Sequence, residues 1–463
     1  MPALNFRAWL ARQAYAFLLR AGTPAYLWRV WARGRQEPDY RAHWPERLGL
    51  YGMAHRAQWV AAPGATSRAP VVWVHAVSLG EARAAEPLVA ALRQQSPRMR
   101  LLLTHTTATG REAGRTLVDP ARGDAQVWLP YDTPGAVRRF LRLHQPAVGV
   151  LMETEVWPVL QHEARRQQVP MVLANARLSE KSLRQGLRLK ALLQPAARAL
   201  SAVLAQTQAD AQRVLALLEP ASLAHGVGPT VSVMGNLKFD MCPAPALLAL
   251  GHLWRHQAHA GEPARPVVLA ASTREGEETG LLDAWRQATA GQARGARLMI
   301  VPRHPQRFDE VAALVTAQGM SLSRRSTWPE GQPDEAALGA DVWLGDSMGE
   351  MPAYFAAAEV ALLGGSFAPL GGQNLIEAAA CGCPIVMGPS TFNFAQAAEL
   401  SEAAGAATRV ADWQQGVDVA QGMVATPERS TERQALCLAF ARAHQGAAAR
   451  MAQAILAQAG GAS

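Results

Sequence analysis

From residue 71 onward, short apolar runs recur between longer segments with helical spacing. Val71–Val74 leads into Ser78-Leu79-Gly80-Glu81 and a helix predicted from about Glu81 to Arg93. Leu101–Leu103 precedes a Thr/Gly loop, Thr104–Gly110, and a helix starting near Arg111. Ala125–Leu129, Val148–Met152, Met171–Ala174 and Ala202–Ala205 continue the series, each followed by a polar loop and a helix-like stretch. Alternating strand and helix units predict a doubly wound parallel sheet. After Val231–Met234 and Gly235-Asn236-Leu237-Lys238-Phe239-Asp240 comes a Pro/Ala/His-rich stretch, Cys242 to Pro266, which reads as a linker. The alternation restarts with Val267–Ala270, Arg297–Val301, Asp341–Leu344, Glu359–Leu363 and Ile385–Met387.

The expected fold class is α/β, with two Rossmann-like domains facing a cleft. The pattern sets a basic N-terminal segment at 1–45, a first domain at 46–240, a linker at 241–266, a second domain at 267–429 and a helical segment at 430–463. A chain of 463 residues is long enough for two or three domains. Hydrophobic content of 49% with 18% charged residues describes a folded globular chain. The four cysteines form no CxxC pair and no His cluster has metal-ligand spacing, so buried reduced thiols of a cytosolic protein are expected and no metal site is. A net charge of +8 points to an anionic partner without naming it.

Residues 1–35 carry six arginines and no acidic residue, interleaved with Leu4, Phe6, Trp9, Leu10, Phe17, Leu18, Trp28 and Trp31 among others. The longest uncharged run there is eight residues, Ala21 to Trp28, and it contains Pro24. A spanning helix needs roughly 20 apolar residues, and no small-residue cleavage site follows a clean apolar core. The segment instead fits a helix lying in the interface of an anionic membrane. An ordinary amphipathic helix packed on the domain is the alternative.

Between Gly364 and Gly388 an apolar run ends at a glycine pair, a glycine-rich loop and an Ala-rich helix follow, and a second apolar run closes the unit. Loops at the carboxyl ends of parallel strands are where open α/β sheets bind ligands. Glycines let the backbone approach an anion, and a helix N-terminus offers free N–H groups. Glu377, one turn into the helix, is placed to accept hydrogen bonds from a ribose diol, as in many B-type nucleotide-sugar glycosyltransferases.

Other strand ends carry further candidates. Glu81 follows the first strand, where it reads either as a base that takes a proton from an alcohol, held ionised by the helix dipole, or as a simple helix cap. Glu153 and Glu155 follow another apolar run. As i and i+2 of an extended segment they would share one side. A Mg²⁺ or Mn²⁺ site is disfavoured there, because no DxD motif or oxygen-ligand cluster accompanies them. Lys238 either stabilises a departing phosphate or sugar-acid carboxylate, or pairs with Asp240 on the surface. Pro302 and Arg303 follow a strand of the second domain, with Arg303 placed for a fork contact to phosphate or a base carbonyl. Met348-Gly349-Glu350 follows the next, and its glycine allows close backbone approach.

These motifs, in this order, resemble the 3-deoxy-D-manno-octulosonic acid (Kdo) transferase family of bacterial lipopolysaccharide synthesis. The resemblance runs from Arg33-Gly34-Arg35 and Trp44-Pro45-Glu46-Arg47 to about Ala398. It includes the blocks around Glu81, Leu129-Pro130-Tyr131-Asp132, Glu153 to Pro158, Ala174-Asn175-Ala176-Arg177-Leu178-Ser179, Lys238, Arg303 and Met387-Gly388-Pro389. It implies an inverting, metal-independent B-type glycosyltransferase that needs no cofactor. The implied donor is CMP-Kdo, and the implied acceptor is the tetraacyl lipid A precursor at the cytoplasmic side of the inner membrane. By that resemblance Glu81 is the general base, and Glu153 and Lys238 support the transition state. Pro302, Arg303, Met348, Gly349, Glu350, Asn374, Leu375, Ile376 and Glu377 bind CMP. Gln373-Asn374-Leu375-Ile376-Glu377 departs from the family's His-Asn-Pro-Leu-Glu, and Thr106-Thr107-Ala108-Thr109-Gly110 from its Thr-Pro-Thr-Gly form. Another B-type transferase with a UDP- or ADP-sugar and a lipid or heptose acceptor is the competing reading, since fold alone does not set the donor. A nucleic-acid-binding protein would show basic residues alternating with exposed aromatics outside the N-terminal helix, and the sequence has no such face.

Overall fold

The computed structural model describes residues 6–35, 37–61, 69–218, 228–260, 264–291 and 295–460. Leu4 of the basic segment and residues 261–263 of the Pro/Ala/His-rich stretch lie outside them. The chain forms two compact units. The first holds residues up to Asp240 together with those from Gln445 onward. Its strands are β1 (Val71–His75), β2 (Arg100–His105), β3 (Ala125–Trp128), β4 (Val148–Met152), β5 (Met171–Ala176), β6 (Ala202–Ala205) and β7 (Thr230–Val233). All pair in parallel, in the order β3-β2-β1-β4-β5-β6-β7. The order reverses between β1 and β4, so the loops after these two strands flank the switch point.

Successive strand residues point to opposite faces, and helices cover both. Val72, Val74, Leu101, Leu103 and Val150 pack in one cluster with Leu88, Leu92, Met451 and Ile455. Trp73, Leu102, Leu151 and Leu173 pack in another with Phe140, Leu160 and Val214. Two covered faces explain why the strands read as unbroken apolar runs.

The helical segment expected over 430–463 is two helices, Ser430–Ala443 and Ala447–Gly460, divided between the two units. The second returns to the first unit. There Met451, Ala452 and Ile455 are fully buried, and the Asp240 carboxylate accepts from the N–H groups of Gly446 and Ala448. Asp240 is thus occupied as a helix cap.

The second unit, Met241–His444, has β8 (Val267–Thr273), β9 (Arg297–Pro302), β10 (Leu322–Arg324), β11 (Val342–Leu344), β12 (Val360–Leu363), β13 (Ile385–Met387) and β14 (Ala407–Arg409). These also pair in parallel, in the order β10-β11-β9-β8-β12-β13-β14, with the reversal between β8 and β12. The sequence pattern passes over β10 and β14, which are three-residue edge strands with incomplete burial. The stretch read as a linker forms the helix Pro245–His259, a packed part of this unit. Trp254 is its buried anchor, and a Cβ on Gly251 would stand 2.2 Å from the Ala353 carbonyl oxygen, so only glycine allows this approach.

The basic N-terminal segment is the helix Phe6–Arg33, which packs against the helices Pro158–Arg166 and Lys190–Arg198 of the first unit. Ala8, Ala16 and Val30 are buried, Arg12 bonds His162 at 2.7 Å, and Tyr15 hydrogen-bonds Asp132. Phe6, Phe17, Leu18 and Trp28 remain 71%, 69%, 68% and 71% exposed. Among the described residues no helix is long and apolar enough to cross a membrane.

Candidate active site

In the first unit, Ser78 caps the helix Leu79–Gln95. Its Oγ accepts from the Glu81 N–H at 3.4 Å and donates to Glu81 Oε1 at 3.3 Å, while Glu81 Oε2 accepts from the Val77 N–H at 2.8 Å. This reciprocal arrangement is a variant of the capping box. Capping alone would favour the carboxylate. The balance goes the other way: burial pushes the Glu81 carboxyl up to about 7, the Val77 N–H opposes the rise, and the charges of Glu153 and Glu155 add to it. The expectation that the helix dipole keeps Glu81 well ionised is therefore corrected, because desolvation and two neighbouring carboxylates outweigh the helix end.

Glu153 follows β4, across the switch point from Glu81. Its φ of +58° places a non-glycine residue in the left-handed region, which is rare and clusters at functional sites. Neighbouring strand ends hold it there: its N–H donates to the Ala174 carbonyl at 2.9 Å, and its carbonyl accepts from the Arg177 N–H at 3.2 Å. The segment is a turn, so the alternation of an extended strand does not apply to Glu153 and Glu155. They neighbour one another and Glu81 nonetheless, and burial raises the Glu155 carboxyl above its ordinary value.

Lys238 lies in the short turn Leu237–Asp240, which packs on the helix headed by Glu81. The turn is fixed from below. Asn175, fully buried with a φ of +52°, accepts the Leu237 N–H on Oδ1 at 3.1 Å, and the Asn236 side chain accepts the Lys238 N–H at 3.0 Å.

In the second unit, Pro302 ends β9 and the Arg303 N–H donates to the Thr273 carbonyl at 2.9 Å. The half-buried Arg303 side chain has no ion pair among the described residues. After β11, Met348 is 62% exposed and Gly349 has a φ of +83°. Glu350 pairs with Arg325 at 2.8 Å and accepts from the Ser347 hydroxyl. Asn374 stands at the N-cap of the helix Leu375–Ala380 without capping it, and its buried Oδ1 has no hydrogen-bond partner among the described residues. The Leu375 and Ile376 side chains are buried, so these two residues offer a ligand only their backbone. Glu377 is half-buried in the first turn. The loops thus rise from β9, β11 and β12, which leaves the central β8 between two of them.

The sequence pattern does not single out the loop after β8. Glu277, 2% exposed, accepts N–H bonds from Arg274 at 2.9 Å, Gly365 at 2.7 Å and Ala368 at 3.2 Å. It fastens the glycine loop after β12 to the end of β8. Gly364 supports the contact, since a Cβ there would meet the Ser272 carbonyl oxygen at 2.5 Å. The signal was present in Thr273-Arg274-Glu275-Gly276-Glu277-Glu278, acids and a glycine directly after an apolar run. Among the described residues no group of three or more His, Cys, Asp or Glu side chains is arranged to hold a metal.

The profile of the family described as 3-deoxy-D-manno-octulosonic-acid transferase matches residues 42–241. The Bordetella pertussis 3-deoxy-D-manno-octulosonic acid transferase is 45% identical over 453 residues, covering 96% of this chain and 99% of that protein. The Haemophilus influenzae transferase of the same name is 34% identical, covering 82% of each chain. Among solved structures, an Anabaena protein in complex with UDP is similar in fold, with a TM-score of 0.54 at 16% identity, covering 84% of this chain and 99% of that one. The Bordetella match, over 96% of the chain, reaches both parallel sheets, and the chain belongs to the 3-deoxy-D-manno-octulosonic acid transferase family of glycosyltransferases.

Proposed function

We propose that this chain transfers Kdo from CMP-Kdo to the tetraacyl lipid A precursor with inversion, and that Glu81 is the general base. The observation that carries the reading is the Glu81 carboxyl at about 7, beside Glu153 at the switch point of the first sheet. A base poised near the working pH takes a proton most effectively. An acceptor hydroxyl attacks the anomeric carbon as its proton passes to Glu81. The bond from that carbon to the CMP phosphate oxygen breaks, and its electron pair leaves with CMP. Lys238 offers a cation to the charge that develops, and Arg303 offers its guanidinium to the phosphate. Pro302, Met348, Gly349, Glu350 and the segment from Asn374 to Glu377 complete the CMP site, with Glu377 on the ribose. The unpartnered Asn374 Oδ1 supports a ligand at that loop.

The exposed Phe6, Phe17, Leu18 and Trp28, set among arginines, support binding of the N-terminal helix to the anionic cytoplasmic face of the inner membrane. The test is a transfer assay with purified lipid A precursor, read by product mass. Mass increments of one Kdo unit with CMP-Kdo, absent with UDP- and ADP-sugars, are expected. Transfer from a UDP- or ADP-sugar instead would overturn the donor assignment.

A further inference from the structure

Arg177, which follows β5 and bonds the Glu153 carbonyl through its N–H, opens a helical hairpin that the catalytic reading does not use. The hairpin is Glu180–Arg188 followed by Lys190–Arg198. Lys181, Arg184 and Arg188 stand at i, i+3 and i+7, which places them in one stripe along the first helix. The opposite face turns inward: Leu183 packs on the core, and a Cβ on Gly186 would meet Leu217 at 3.2 Å. Arg177, Lys181, Arg184, Arg188 and Lys190 are all exposed, and none has an ion-pair partner among the described residues. Beside them Leu187 and Leu189 are 41% and 57% exposed. Arg177 also stands at an apolar pocket lined by Glu153, Thr154, Leu178, Leu200 and Leu217.

A solvated basic face would ordinarily alternate with acids, and Glu180 is the one acid from Arg177 to Arg198. Cations interleaved with exposed leucines fit a ligand that is anionic and apolar together. We propose that the Lys181–Arg184–Arg188 stripe, with Arg177, binds the anionic headgroup of the lipid acceptor and orients it toward Glu81 and Glu153. This rests on the acceptor being a lipid, as proposed above. It assigns headgroup recognition to a different element from the N-terminal helix, whose apolar side chains meet the bilayer.

The test uses the full chain with Lys181, Arg184 and Arg188 all replaced by Glu, and a second variant with all three replaced by Gln. In neutral-detergent micelles, where no bilayer contributes, the Glu variant should raise the acceptor KM about 10–100-fold and the Gln variant by less, with unchanged CMP affinity and melting temperature. Binding of phosphatidic acid carried in the same micelles should fall in parallel, while phosphatidylcholine micelles show no difference. An unchanged acceptor KM in micelles overturns the proposal, including the case where only binding to anionic vesicles weakens, which would make the stripe a bilayer contact. If wild type fails to transfer to lipid, the proposed function falls. The phosphatidic acid comparison still decides the stripe, and equal binding by wild type and the Glu variant overturns it. Should the Glu variant misfold, the Gln variant carries the same comparison.

Discussion

Replacing Glu81 by Gln separates a base from a helix cap, because the two roles predict opposite changes in stability. In the folded chain the carboxyl sits at about 7, against an ordinary 4.5. Below 4.5 both folded and unfolded chains hold the proton, and the ionisation of Glu81 affects neither. Between the two values the unfolded chain releases the proton and the folded chain retains it, so stability falls as pH rises and levels off above 7. The ceiling of that loss is about 3 kcal/mol, and solvent at the half-buried carboxylate reduces it to about 1–2 kcal/mol. An amide of the same shape carries no such penalty and still accepts from the Val77 N–H. At pH 8 the E81Q chain should therefore melt at or above the wild-type temperature, with the difference shrinking toward pH 4.5. Its turnover should fall roughly 10²–10⁴-fold, the usual loss of a general base, while CMP binding is nearly unaffected. Wild-type turnover should rise with pH through about 7 as Glu81 deprotonates. The assay is turnover at saturating donor and thermal melting across pH, with Glu153→Gln measured alongside. Near-normal turnover of E81Q, or a clear loss of melting temperature at pH 8 without a loss of rate, would return Glu81 to a capping role and refute the assignment.

Gly110→Ala would put a Cβ 2.7 Å from the Val77 carbonyl oxygen, behind the loop that holds Glu81. We expect an overpacking cost of about 1–3 kcal/mol and at least tenfold lower turnover with CMP affinity retained, and normal turnover would dismiss the contact. Glu277→Ala leaves the Gly365 and Ala368 N–H groups of the glycine loop, and that of Arg274, without their acceptor. Titration should show CMP affinity weakened by about 1–3 kcal/mol, and an unaltered affinity would make Glu277 a purely structural residue. Met451→Ala, at a fully buried position of the C-terminal helix, should destabilise the first unit by about 2–5 kcal/mol. CMP titration should stay unchanged, so a matching loss of CMP affinity would contradict the assignment of that helix to the first unit.

The parallel sheets were legible because both faces of each are covered, so Val71–Val74, Val148–Met152 and Ala202–Ala205 are apolar without interruption. Strand order was not legible, since the residues of β1 carry no mark of having β2 on one side and β4 on the other. The helix Pro245–His259 was hidden by its composition: prolines and histidines suggest a linker, whereas Trp254 and Gly251 fit it to a neighbouring helix. Candidate residues at strand ends were readable as residue types. Their electrostatics were not, because the shift of Glu81 depends on burial and on two carboxylates more than 70 positions away in the chain. Several family blocks turn out to build the fold. Glu46 accepts the Trp128 N–H at 2.8 Å, and Asp132 accepts the N–H groups of Val159 and Leu160 at 3.0 and 2.6 Å.

The return of the helix Ala447–Gly460 to the first unit has a consequence for synthesis on the ribosome. The layer formed by Leu88 and Leu92 is completed by Met451 and Ile455, which emerge only after the whole second unit. At roughly 5–20 residues per second, residues 241–444 take about 10–40 s to translate, and through that interval the nascent first unit shows an open apolar face. The second unit, contiguous in sequence, closes before the first. A prematurely terminated chain therefore leaves its first unit unfinished, and the Glu81 helix gains its full support only in a chain that already carries its second unit.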